Sequence, residues 1–145
     1  MILLDANALI SLLLDEPAAD QVAELLRSRS CAIPAPCVAE VLDRVMRRHA
    51  ISRREFLERV DPLVDEVLLS LTIDIRIAQR AGEIRAAHYA RDGAALSLAD
   101  CLLLASAGRE DEIATSDAAV AKTAGKLGIE VVPLRDSRGR LPGQG

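Results

Sequence analysis

Four carboxylates, Asp5, Glu40, Asp100 and Asp117, stand where their surroundings would not ordinarily choose an acid. Asp5 interrupts the apolar start MILLDANALI, and Asp117 follows the short apolar run in IATSDAAVAK. Asp100 is embedded in LSLADCLLLA, and Glu40 lies about one turn past a proline pair in PAPCVAEVLDR. Carboxylates gathered at one place raise one another's pKa values, and the usual compensation is a hard cation. An all-oxygen donor set suits Mg²⁺, or Mn²⁺, better than zinc. Such a site activates water and stabilises charge on phosphoryl oxygens, so the chemistry is phosphoester hydrolysis without a protein nucleophile. Asn7, two residues past Asp5, could orient that carboxylate or a water, and Thr115 and Ser116 place hydroxyls beside Asp117. Each residue also has a plain structural alternative. Asp5 and Asp117 could cap helices, Asp100 could complete a capping box with Ser97, and Glu40 could pair with Arg44 one turn on. Thr115 and Ser116 could simply terminate a strand and cap.

Bringing these acids together requires a particular fold. The opening apolar run reads as a strand covered on both faces, hence central and parallel. Further short strands are expected at 31–33, 67–71, 113–115 and 129–132. Between them fall helical patterns: one from Asn7 as cap through Leu14, one at 17–29, and one at 37–49 with Val38, Val41, Leu42 and Val45 buried. A short helix behind the Ser52–Glu55 capping box follows, with Pro62 near its end. Others are a long helix started by Thr72 or Asp74 and stopped near Gly93, one at 98–107 and one at 118–127. On helical periodicity alone, Glu40, Arg44 and Arg47 are expected opposite the buried stripe of their helix. Alternating strands and helices imply an α/β fold, a parallel sheet with helices on both faces. Ligands of such sheets bind beyond the carboxyl ends of the strands. Asp5 and Asp117 end strands there, and Glu40 and Asp100 sit near the starts of helices.

The 145 residues suit one domain with an aliphatic core, for the chain has no Trp, one Phe and one Tyr. That composition removes the aromatic platform by which many proteins stack single-stranded nucleic acid. The net charge of −4 excludes a uniformly basic nucleic-acid binder, yet six arginines and two acids lie between Arg44 and Arg59. Local fields of this kind steer polyanions, although a solvated helix face would look the same. Cys31, Cys37 and Cys101 have no metal-ligand spacing and suit a reduced, cytoplasmic protein. Neither a signal peptide nor a membrane span is expected.

LLDANALI, Glu40 in VAEVLDR, Asp100 in LSLADCLLLA, the Thr115–Asp117 triplet in IATSDAAVAK and the final LGIEVVPL together resemble PIN-domain ribonucleases of the VapC toxin type. The resemblance spans residues 1–134, leaving residues 135–145 as a polar tail expected to be flexible. It implies a three-layer α/β/α domain and Mg²⁺- or Mn²⁺-dependent endoribonuclease activity. Asp5, Glu40, Asp100 and Asp117 fall on the family's acidic residues, with Asp5, Asp100 and Asp117 as metal ligands, and Asn7 and Thr115 on its polar helpers. It further implies a homodimer, and a small antitoxin that neutralises the toxin. The expected reaction is in-line attack of water on RNA, leaving a 5′-phosphate and a 3′-hydroxyl. Arg44, Arg47, Arg48, Arg53 and Arg54 could guide the RNA backbone or meet a protein partner. The rival readings are a metal-dependent phosphatase for a small substrate, which lacks a GxxxxGK[ST] cradle here, and a non-catalytic PIN-like binding module, which would need a lost acid.

Overall fold

A computed structural model describes residues 1–89 and 95–144; the helix stop expected at Gly93 lies outside them. In chain order the elements are β1 (Ile2–Leu4), α1 (Ala6–Leu13), α2 (Ala19–Ser28), β2 (Cys31–Pro34), α3 (Ala35–His49), α4 (Arg53–Glu66), β3 (Leu68–Leu71), α5 (Ile75–His88), α6 (Leu98–Ser106), β4 (Glu112–Thr115), α7 (Ala118–Lys126) and β5 (Glu130–Pro133). The strands form one wholly parallel sheet in the order β3-β2-β1-β4-β5. Helices cover both faces, giving the three-layer α/β/α arrangement the sequence implies. Ile2, Leu3 and Leu4 are each 0% exposed, as a central strand requires.

The strand order dictates where a site can form. From β1 the chain steps outward through β2 to β3, then returns to the other flank for β4 and β5. The order therefore reverses between β1 and β4, and such a switch point opens a crevice past the strand ends. Register pairs Leu4 with Ala114, and the Asp5 N–H donates to the Ala114 carbonyl at 3.1 Å. Asp5 and Thr115 are thus side by side at the crevice floor.

Local signals set most helix starts. The Ser52–Glu55 and Ser97–Asp100 capping boxes both form, and Asp74 caps α5 by accepting from the Ile77 N–H at 2.8 Å. Gly128, with φ +72°, turns the chain out of α7. Three expectations are corrected. Asn7 does not cap α1: Asp5 holds the cap position, its side chain caps nothing, and Asn7 lies inside the helix. Pro62 is within α4 and not near the end of a short helix, because α4 continues to Glu66. Glu40 and Arg44 do not project into open solvent across α3, for each side chain is only 28% exposed. Periodicity identified Val41 and Val45 of the buried stripe, but Cys37 completes it while Val38 and Leu42 are only partly buried; α3 also packs against α1 and α6, which shelters the flank carrying Glu40 and Arg44.

The core is aliphatic around Phe56, and all three cysteines are buried and unbridged. After β5, Leu134 is buried and its N–H donates to the Thr115 carbonyl at 2.9 Å. Among the described residues no helix is long and apolar enough to cross a membrane.

Candidate active site

Asp5 is the most deeply buried acid of the site, 2% exposed at the end of the central strand. Its Oδ2 accepts the Thr115 hydroxyl at 2.6 Å and the Asn7 amide at 3.4 Å. Thr115 Oγ1 in turn accepts the Asp117 N–H at 2.9 Å. The ends of β1 and β4 are therefore joined by a short polar chain where hydrocarbon would otherwise pack. Burial pushes the Asp5 carboxyl up from 3.8 to about 7, against the lowering effect of the Thr115 bond, and the charges of Asp100, Asp117 and Glu40 push the same way. Simple helix capping does not explain this residue.

Asp117 and Asp100 differ, for each has a structural task as well. Asp117 caps α7, its Oδ1 accepting the N–H groups of Ala119 at 2.7 Å and Val120 at 3.1 Å. Asp100 closes the α6 capping box, its Oδ2 accepting the Ser97 N–H at 2.6 Å while its own N–H donates to Ser97 Oγ at 3.0 Å. Burial raises the Asp100 pKa, and the Ser97 bonds oppose it. Only one oxygen of each acid is used in this way.

Glu40 approaches from α3. Its Oε1 lies 3.7 Å from Arg44 Nη1, and its Oε2 is buried without a hydrogen-bond partner among the described residues. Burial raises its pKa first and Asp100 next, with Arg44 opposing. Arg44 also donates to Asn7 Oδ1 at 2.6 Å. A guanidinium thus links Glu40 to Asn7, and through Asn7 to Asp5. Burial and the same acids push the nearby Cys37 thiol up, which disfavours its thiolate.

The crevice continues outward as a cleft of about 360 Å³, lined by Asn7, Arg44, Arg48, Ser116, Asp117 and Arg135 among others. The arginines singled out from the sequence divide here. Arg44 and Arg48 line the cleft, whereas Arg47 is held by Asp43 at 2.5 Å and Arg54 by Glu58 at 3.4 Å on exposed helix faces. Arg53 is exposed at the start of α4. Sequence reading also missed Arg135, Asp136 and Ser137 in the cleft wall; the turn chemistry around Asp136 and Gly139 was their only signal.

Among the described residues no group of three or more His, Cys, Asp or Glu is already arranged as a metal-binding cluster. The four acids nonetheless feel one another's charge. The unpartnered, buried Glu40 Oε2 is the kind of atom that a cation or its water shell satisfies. The hydrogen bonds found for Asp5, Asp100 and Asp117 each engage one oxygen. This donor set fits a divalent cation held partly through water.

A doubly wound α/β/α domain with acids gathered at its switch point is the class of protein defined so far. More narrowly, the chain belongs to the PIN-domain family, whose model matches residues 2–126. It is 33% identical over 108 residues to "Ribonuclease VapC12" of Mycobacterium tuberculosis, a match covering 70% of this chain and 81% of that protein. Among solved structures it is similar to a toxin-antitoxin complex from Klebsiella pneumoniae, with 25% identity, a TM-score of 0.65, and 91% and 96% of the two chains covered. The fold is shared with DNA-bound VapBC from Salmonella typhimurium, at 21% identity and TM-score 0.64, covering 90% of this chain and 96% of that one.

Proposed function

We propose that this chain is a Mg²⁺-dependent endoribonuclease, with Mn²⁺ an alternative cation, and the toxin of a toxin–antitoxin pair. The observation that carries the reading is Asp5: a buried carboxylate that caps nothing, kept among three further acids at a switch point. An uncompensated group of this kind costs stability, and its natural compensation is a cation. The identity to a ribonuclease over most of the chain supports RNA as the substrate, and the likeness to a toxin-antitoxin complex supports a small antitoxin as partner. A homodimer working in the cytoplasm belongs to the same reading.

Asp5, Asp100 and Asp117 would hold the cation, directly or through water, with Glu40 completing the pocket. When bound, it supplies a Lewis acid for phosphoryl oxygens and lowers the pKa of a water. The chain's own residues do the positioning. Thr115 and Asn7 fix the Asp5 carboxylate, and Arg44 fixes Asn7. The helix-start N–H groups of α6 and α7 fix Asp100 and Asp117. Water then attacks the phosphodiester in line, leaving a 5′-phosphate and a 3′-hydroxyl.

The deciding experiment compares wild type with Asp5→Asn on structured RNA, with and without Mg²⁺, beside a generic phosphomonoester. The expected outcome is Mg²⁺-dependent RNA cutting that Asp5→Asn abolishes. Hydrolysis of the phosphomonoester alone overturns the assignment in favour of a small-substrate phosphatase.

A further inference from the structure

The cleft has two walls, and the second comes from a part of the chain beyond the family match, which ends at residue 126. The first wall is α3, presenting Arg44, Arg48 and His49; the second is the segment after β5, presenting Arg135, Asp136 and Ser137. We propose that this C-terminal turn, residues 135–140, is an RNA-binding wall, with Arg135 and Arg48 holding backbone phosphates on opposite sides of a single strand whose scissile bond lies over the acids. The inference rests on the ribonuclease reading and deepens it.

Several observations support the assignment. The segment is tied to the site at its root, since Leu134 is buried and bonds to the carbonyl of Thr115, the residue that holds Asp5. Beyond the root it folds back on itself. Asp136 Oδ1 accepts the N–H groups of Arg138 and Arg140, both at 2.9 Å, and its Oδ2 meets Arg140 Nη2 at 2.9 Å. The Asp136 N–H and the Arg140 carbonyl pair at 2.8 Å, and Gly139 supplies the φ of +79° that closes the turn. Arg135 Nη1 donates to the Gly139 carbonyl at 2.8 Å, which holds its guanidinium against the turn.

The charges are suitably distributed. Asp136 is already engaged by Arg140, so its acidity is spent within the turn. Among the described residues, Arg48 and Arg135 form no ion pair with a carboxylate, unlike Arg27, Arg29, Arg47, Arg54 and Arg140. Glu16 and Asp117 are the other acids lining the cleft. A cleft lined by Arg44, Arg48 and Arg135 beside Asp117 matches a polyanion that meets the site acids at one phosphate only. Phosphate contacts of this kind fix register without reading sequence. With no aromatic platform to stack bases, the cleft would hold a single strand through its backbone phosphates alone.

The test uses the full chain and a fluorescently labelled single-stranded oligoribonucleotide, with anisotropy recorded in EDTA at several salt concentrations. Arg48→Gln and Arg135→Gln should each flatten the dependence of log affinity on log salt by about 0.7, the value for one phosphate contact on a single strand. Arg54→Gln should leave it unchanged. Asp136→Ala separates positioning from bulk charge. It removes an acid, so it should tighten binding if net charge alone matters; if the turn aims Arg135, it should weaken binding several-fold. Melting temperatures verify that each variant is folded. An unchanged salt slope for Arg135→Gln, or tighter binding by Asp136→Ala, overturns the proposal. If wild type cuts RNA while these variants bind normally, only this inference falls. A wild type that neither binds nor cuts RNA removes the ribonuclease reading and this one together.

Discussion

Asp100 and Asp117 sit at helix starts and are held by backbone N–H groups; Asp5 and Glu40 lie close enough to feel their charge but have no such support. The first pair would stabilise their helices whatever the cleft did, because an acid in the first turn satisfies exposed N–H groups and opposes the helix dipole. Burial raises the pKa of the second pair, as it does that of Asp100 despite its Ser97 bonds, and Glu40 retains an oxygen with no partner among the described residues. Two of the four acids therefore do ordinary helix-start work, and the other two have no such work to set against the cost of burial. The costly half is the better indicator of function, since nothing in the fold requires it.

The largest effect that would break this contrast comes from Asp5→Asn. Its folded pKa of about 7 exceeds the ordinary 3.8. The folded chain thus keeps its proton where the unfolded chain has lost it. The associated stability is complete below the ordinary value and is lost as pH rises through the folded one. Chemical denaturation in EDTA should show wild type weakening between about pH 4 and pH 7, while Asp5→Asn stays flatter. At pH 8 the variant should be more stable by up to about 4 kcal/mol, taking 1.36 kcal/mol per pKa unit. RNA cutting should nonetheless fall on the order of a thousandfold, as when a group that organises transition-state charge is lost. A variant that loses stability in EDTA at pH 8 would show that Asp5 is a structural residue.

A middle-sized effect sharpens the contrast from the other side. Asp117→Asn keeps an oxygen for the Ala119 and Val120 N–H groups, so its stability should stay within about 0.5 kcal/mol of wild type while cutting is lost. Asp117→Ala should lose both, at about 1 kcal/mol of stability. Equal destabilisation by the two would mean that the carboxylate charge, and not the cap, holds α7. The smallest effect should come from Glu40→Gln in EDTA. It should shift the melting temperature in the same direction as Asp5→Asn, but by less, because Glu40 is less buried and Arg44 already offsets part of its charge.

What could be read from the residues divides along physical lines. The central strand and both capping boxes are local patterns that the structure reproduces, and so in part is the α3 stripe, where Val41 and Val45 are buried but Val38 and Leu42 only partly. The double role of Asp100 and Asp117 was also visible, though as competing alternatives; the structure shows that capping takes one oxygen and leaves the other outside the cap. The flank of α3 was misread because periodicity separates the faces of a helix without saying what packs beside them. Arg47 was grouped with cleft residues because the charge run was counted from Arg44, one residue after Asp43, its partner at i,i+4. The cleft wall at residues 135–140 has no apolar period, and its one signal is an Asp136 side chain closing a turn on Gly139.

The Thr115 hydroxyl has one further consequence. It directs its hydrogen at Asp5 Oδ2, and the Asn7 amide points at the same atom. With these donors aimed at Oδ2, a proton taken up by Asp5 is favoured on Oδ1. On the proposed reading that is the oxygen left for a cation, so acidification and metal uptake would contend for a single atom.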